Sequence, residues 1–158
     1  MAENVSFDIQ GLEPVLDKLK ELESLPKKKA TRFALRKAAN LVRDRARDNA
    51  QRLDDPETAN SISDNIAVRQ DTKHYRRTGD LKMSVGVRGG AKSKAKNAAL
   101  PGGDTFYWRF LEFGTESIRA RPFMRPALAE SIDPATDVFV RQLDRAVDRA
   151  IKRAKKGK

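Results

Sequence analysis

Apolar residues recur along this chain at spacings that switch between two and about three and a half, and the switches mark its elements. Val5, Phe7 and Ile9 alternate with polar residues, so 4–10 reads as a short strand. Leu12, Val15, Leu16, Leu19 and Leu22 follow helical spacing, with Pro14 in the first turn where its missing N–H does no harm and Pro26 closing the helix. From Lys27 to Leu53 a long amphipathic helix carries Ala34, Ala38, Leu41, Val42, Ala46, Ala50 and Leu53 on one stripe. Arg32, Arg36, Lys37, Arg43 and Arg47 form its opposite face. Asp54-Asp-Pro-Glu57 is a break. Residues 61–70 (Ile62, Ile66, Val68) and 80–88 (Leu81, Met83, Val85, Val87) read as strands, the second alternating as in a sheet with one solvated face.

The pattern then lapses. Residues 89–104 are mostly Gly, Lys, Ala and Ser with Pro101-Gly-Gly103, a flexible basic loop with little to bury. Tyr107, Trp108 and Leu111 have helical spacing, so 105–113 is predicted as one or two helical turns, although its aromatic density would also suit a strand. From Pro122 the chain is helical again, as two helices over 122–132 and 134–154 or as one kinked helix, with Asp133 as an N-cap before Pro134. Phe139, Val140, Leu143, Val147 and Ile151 give the last piece its apolar stripe. These elements sum to an α+β fold, a small, mostly antiparallel sheet packed by the long amphipathic helix and the C-terminal helix. At 158 residues the expectation is one domain, with a flexible loop at about 88–104 and a basic tail at about 152–158.

Charge adds an asymmetry. The net charge is +11; residues 1–25 carry six acids against two lysines, whereas 27–53 carry ten Lys/Arg against two Asp. Such a chain is attracted to polyanions, nucleic acid or acidic protein surfaces. Tyr75 and Trp108 could stack on bases, but no helix-turn-helix, zinc-finger or RNA-recognition motif is legible. Without cysteine, disulfides and thiolate metal sites are excluded. The one histidine, His74, sits among Lys73, Arg76 and Arg77, a poor metal site. Asp54, Asp55 and Glu57 read as a turn, Ser61 and Ser63 lack a histidine partner, and Gly86-Val-Arg-Gly-Gly90 lacks the Lys-Ser/Thr ending of a phosphate loop. No enzyme activity and no cofactor is expected. The apolar runs fall short of the roughly 20 residues that cross a bilayer, and Met1-Ala-Glu-Asn4 has no signal-peptide character, so no membrane association is expected either.

The densest information lies in Leu111-Glu-Phe-Gly-Thr115 and Arg121-Pro-Phe-Met-Arg-Pro-Ala-Leu128. Gly114 ends one element, and Pro122 and Pro126 bracket Phe123 and Met124 at the start of the next. This is a geometry-setting device with no acid–base or nucleophilic pair. Glu112 adjoins its apolar cluster, and Arg119, Arg121 and Arg125 are the candidates to pair with it, in a contact that would fix the angle between elements or between subunits. The apolar residues at 106–113 and 123–124 suit a core or a subunit interface.

With the helix Ala34-Leu-Arg-Lys-Ala-Ala-Asn-Leu-Val42 and the turn Thr78-Gly79-Asp80-Leu81, these motifs in this order over about residues 30–130 resemble the small head–tail joining proteins of long-tailed bacteriophages, the neck or tail-completion proteins. The resemblance implies a structural virion protein without catalysis, assembled in the host cytoplasm and located at the head–tail junction. It implies a homo-oligomeric ring, hexameric in many such connectors. A head-closure or adaptor protein would meet one face and the tail tube or a tail terminator protein the other, with genomic DNA passing through the channel. Trp108, Leu111, Glu112, Phe113, Gly114, Thr115, Arg121, Pro122, Phe123, Arg125 and Pro126 are then the family motif and candidate subunit interface. Thr78, Gly79 and Leu81 form the candidate turn, and Arg32, Arg36, Lys37, Arg43 and Arg47 the candidate DNA- or partner-facing cations. The alternative is a basic nucleic-acid-associated protein acting as monomer or dimer.

Overall fold

The computed structural model describes residues 9–22, 24–54 and 57–157. Along them run α1 (Glu13–Lys20), α2 (Ser24–Gln51), α3 (Ile62–Asn65), β1 (Ile66–Gln70), α4 (Thr72–Thr78), β2 (Met83–Val87), a 3-10 turn (Ala95–Ala99), α5 (Trp108–Phe113), α6 (Met124–Ala129) and α7 (Ile132–Lys156). The class is α+β. Of the strand read at 4–10, residues 4–8 lie outside the described residues, and Ile9 and Gln10 lead into the turn before α1.

The chain forms two compact units, one from residues 1–37 and 136–158 and one from 38–135. In the first, Val15 and Leu19 of α1, Ala30 and Ala34 of α2, and Leu143, Ala146 and Val147 of α7 make a buried core. The alanines let helix backbones approach closely. At eight residues α1 is too short to persist alone, and tertiary contacts hold it. Besides its two core residues, Lys18 Nζ donates to Asp144 of α7 at 2.6 Å and lies 3.1 Å from Asp148, half-exposed pairs that orient more than they stabilise. Pro26, read as the end of α1, instead lies in the first turn of α2, where a proline costs no hydrogen bond. Likewise α7 begins at Ile132, so Asp133 and Pro134 belong to its first turn and Asp133 is not its cap.

In the second unit Ala46 and Ala50 of α2 pack with Ile62, Ile66, Phe123 and Ala127. The two strands pair antiparallel from Ile66↔Val87 to Gln70↔Met83, and Val85 and Val87 lean on that core. The stretch read as one strand over 61–70 is split, because its first half is capped into a helical turn. Asp54 accepts from the Ser61 hydroxyl (3.0 Å) and from the N–H groups of Ile62 (2.8 Å) and Ser63 (3.3 Å), while the Ser61 hydroxyl oxygen accepts from Asp64 N–H at 3.2 Å. A helix unforeseen from periodicity, α4, connects the strands. Asp71 caps it by accepting from His74 N–H at 2.9 Å, and Gly79 closes it with φ 81°.

The segment 88–104 is a loop with an internal skeleton. Buried Asn97 donates to Asp104 Oδ1 at 2.9 Å and to the carbonyls of Gly89 (3.4 Å) and Lys92 (3.3 Å), and the Ser93 hydroxyl donates to Asp104. Those two side chains hold the Asp104 carboxyl below its usual range, the Ser93 contact first. Buried Asn65 accepts from Gly102 N–H (2.9 Å) and donates to Gly103 O and Thr105 Oγ1 (both 2.8 Å), while Ser61 N–H donates to Gly102 O at 2.9 Å.

Gly102 is therefore a contact point rather than a spacer. A Cβ there would lie 1.9 Å from the Ser61 carbonyl oxygen. Gly102→Ala is expected to lower unfolding free energy by about 1–3 kcal/mol, the usual cost of overpacking. Gly86→Ala, whose added methyl meets nothing within 4 Å, should change it little. Urea unfolding of the two variants checks this.

Candidate functional site

The junction of α5 and α6 is built by four features in succession. Trp108 and Leu111 turn from α5 toward the core, and Trp108 Nε1 donates to Gly90 O at 3.0 Å, tying α5 to the 88–104 loop. Gly114 ends α5 at φ 77°, ψ 173°, a conformation essentially reserved for glycine, and a Cβ there would sit 2.9 Å from Ala120 N. Thr115 then closes a turn: its hydroxyl accepts from Ile118 N–H (3.0 Å) and Ser117 N–H (3.3 Å), and its own N–H donates to Ile118 O (2.8 Å). Arg121 N–H returns the chain to α5 by donating to Leu111 O at 2.7 Å.

Glu112 occupies the centre and is 1% exposed. Its Oε2 accepts from Phe123 N–H (2.8 Å) and Met124 N–H (2.9 Å); its Oε1 accepts from Arg125 N–H (3.0 Å) and Arg125 Nε (3.2 Å). The far end of the same guanidinium donates to Glu112's own carbonyl at 2.6 Å. One carboxylate thus satisfies the first free N–H groups of α6, and one arginine brackets the carboxylate and its backbone. Burial by itself pushes the Glu112 carboxyl up, but the N–H groups of Met124, Phe123 and Arg125 and the Arg125 side chain outweigh it, and the net displacement is downward. From α2, Asn49 donates to Phe123 O (3.3 Å) and Arg45 to Glu130 O (2.6 Å), one at each end of α6.

Of the three arginines considered as partners for Glu112, it is Arg125 that pairs, within the chain; Arg119 and Arg121 are exposed. Phe123, considered for an interface, is fully buried in the chain's own core, and Met124 and Leu111 are partly buried beside it. Thr115, Arg121 and Pro122 are exposed and Pro126 is half-buried in the first turn of α6. Large apolar residues also face outward: Phe113 and Leu128 are each 58% exposed, with Phe110 and Ile118 also exposed and the Arg125 guanidinium 5.1 Å from the Phe113 ring centroid. In the turn after α4, Thr78 Oγ1 accepts from Asp80 N–H at 3.1 Å, and Leu81 is half-buried.

The basic face of α2 divides. Arg36 and Lys37 are exposed, Lys37 lying 5.6 Å from the Phe33 ring centroid, and Arg32 is half-buried. Further along, Arg43 donates to Asn40 (3.1 Å) and Asp44 (2.8 Å), and Arg47 donates twice to Ile66 O (3.1 and 2.8 Å). The inward duties of Arg45, Arg47 and Asn49 had no signal in the sequence, where the same residues compose a polar helix face. Among the described residues no cluster of three or more His, Asp or Glu could hold a metal, and no helix is long and apolar enough to cross a membrane.

Comparison with known families places this geometry in context. The model of the HK97-gp10-like family, described as "Bacteriophage HK97-gp10, putative tail-component", matches residues 13–114. That span includes α5 with Glu112 and stops before α6. No curated protein and no solved structure matches the chain.

Glu112→Ala is expected to cost about 3 kcal/mol, because it strands buried N–H donors and a charged partner; Glu112→Gln, which keeps one acceptor oxygen, should cost less. Since the folded carboxyl titrates below its unfolded value, its contribution is fully present above about pH 4.3 and is lost as pH falls through the lower folded value. Urea midpoints between pH 3 and 7 should therefore fall on the acid side in the wild type, and the Glu112→Gln variant should lack that component of the decline.

Proposed function

The chain belongs to the HK97-gp10-like family of bacteriophage tail components, and from that membership we propose that it is a ring-forming joining subunit at the head–tail junction of the virion. The coarse role, a structural component of a phage tail, comes with the family. The finer role rests on one observation: the Glu112 lock holds Phe113 and Leu128 outward on short, fixed elements of a single unit. Exposed large apolar residues beside an ordered arginine suit a protein–protein contact. A joining ring needs a defined angle between neighbours, and a buried, fully hydrogen-bonded carboxylate supplies angular definition. No step of this role calls for catalysis, a metal or a cofactor. In the proposed ring one face meets a head-closure or adaptor protein and the other the tail tube or its terminator. Arg36 and Lys37 are the motif-helix cations left exposed for the genome in the channel.

Imaging of virions by electron cryomicroscopy is the direct test: a closed ring of this chain between head and tail is expected, and its absence from mature particles would overturn the proposal. Phe113→Asp with Leu128→Asp, both at exposed positions, should leave the unfolding free energy within about 0.5 kcal/mol of wild type and abolish joined particles. Normal joining by that variant would remove this surface from the assembly.

A further inference from the structure

A groove of about 670 Å³ runs between the first half of α2 and the last turns of α7, within the first unit. Its floor is Ala30, Ala146, Ala150 and the ring of Phe33, which remains 41% exposed; its rim is Lys29, Arg149 and Arg153. None of the three cations forms an ion pair with a described residue. Arg149 instead lies 5.6 Å from the Phe33 ring centroid, on the side chain that shapes the floor. The cavity is large enough for a few side chains. An apolar floor edged by cations selects an apolar side chain flanked by carboxylates. A phosphate backbone would use the rim and leave the floor uncovered.

The same unit displays that pattern elsewhere. The outer face of α1 carries Leu16, 44% exposed, between Glu13 and Asp17, with Glu21 one turn on, all of them exposed. Positions 13, 16 and 17 share a helix face, and 20 and 21 continue it. Lys20 on this face is paired to Asp17 at 2.7 Å, so acids prevail three to one. A chain cannot place its own α1 in its own groove, because the inward side of α1 is held by Val15, Leu19 and the Lys18 contacts to Asp144 and Asp148. We propose that the outer face of α1 of one copy docks in the α2–α7 groove of the next, Leu16 against Phe33 and the acids against Lys29, Arg149 and Arg153.

The two patches differ, so the contact is heterologous, and heterologous contacts propagate into rings or filaments. This deepens the ring proposed above, and presupposes it, by naming a surface in the first unit that joins neighbours. A two-turn helix on a groove buries less than the roughly 1,200 Å² of a stable pairwise interface. One such contact is therefore weak, and closure of the ring multiplies it.

The wild-type chain has no cysteine, which makes the test clean. Leu16→Cys and Phe33→Cys, both at exposed positions, are prepared as separate full-length chains, mixed under assembly conditions and oxidised. A disulfide-linked dimer in the mixture and in neither chain alone is the expected result. Rings that form without that crosslink would overturn this contact and leave the ring itself standing. Dimers in either single preparation would show a patch meeting itself and also overturn it. No oligomer of the wild-type chain at any concentration, by sedimentation velocity, would remove the ring and this contact together. As a second readout, Arg149→Glu with Arg153→Glu should weaken assembly at least tenfold, and adding Glu13→Lys and Asp17→Lys should restore it. Charge reversal without effect, or without rescue, would sink the pairing.

Discussion

A buried carboxylate with every lone pair engaged holds the second unit in its shape. An ionised glutamate removed from water is costly unless charge-assisted hydrogen bonds replace its solvation. Glu112 receives three backbone N–H groups and a guanidinium, and in return α6, only six residues long, gains a cap that its own sequence lacks. Remove the acid and the consequences spread. The start of α6 loses its acceptor, Arg125 loses the anchor that holds it beside Phe113, and Phe123 loses the contact that seats its backbone over the core. Arg45 and Asn49 hold the carbonyls at the two ends of α6, so donors and acceptors of that helix are both answered from other elements.

The device recurs. Asp54 caps α3 across a loop and Asp71 caps α4 locally, so each of these short helices owes its start to an aspartate or glutamate outside it. Helices of four to seven residues sit far below the length at which propensity sustains them, and capping decides whether they exist. Alanine plays the complementary part in both cores. Ala30 and Ala34 in one unit, and Ala46 and Ala50 in the other, bring backbones close at little cost in side-chain entropy.

The long elements were legible because their signals are local. The apolar stripe of α2, the pattern of α7 and the alternation of β2 all appear in the sequence at their observed places, to within a few residues. The turn chemistry around Gly114 and the pairing of Glu112 with an arginine were legible as well. The misses share a cause. Pro26 was read as closing α1 but lies in the first turn of α2, and α7 starts two residues before the Pro134 start read for it, so Asp133 is not its cap. The strand assigned to 61–70 lost its first half to a cap supplied by Asp54, seven residues upstream of Ser61. Phe123, which suited either a core or an interface, fills the core, and Arg47 looked like part of a solvated face but answers Ile66. Where a side chain's partner is distant in the chain, periodicity cannot distinguish an inward donor from an outward one.

The connection between the strands stands apart from everything else. No residue of α4 is fully buried, and the contacts at its two ends are the Asp71 cap, the Lys82 pairing to Asp71, the Thr78 hydroxyl on His74 O and the left-handed Gly79. The helix lies outside the β1–β2 ladder, which pairs from Ile66 to Gln70, and buries its side chains only in part. Segments with few buried contacts are where proteins open locally, below the free energy of global unfolding. The hairpin is thus a two-tier object, a base whose breathing requires the core to come apart and a tip that can unwind and rewind while the rest of the subunit keeps its form.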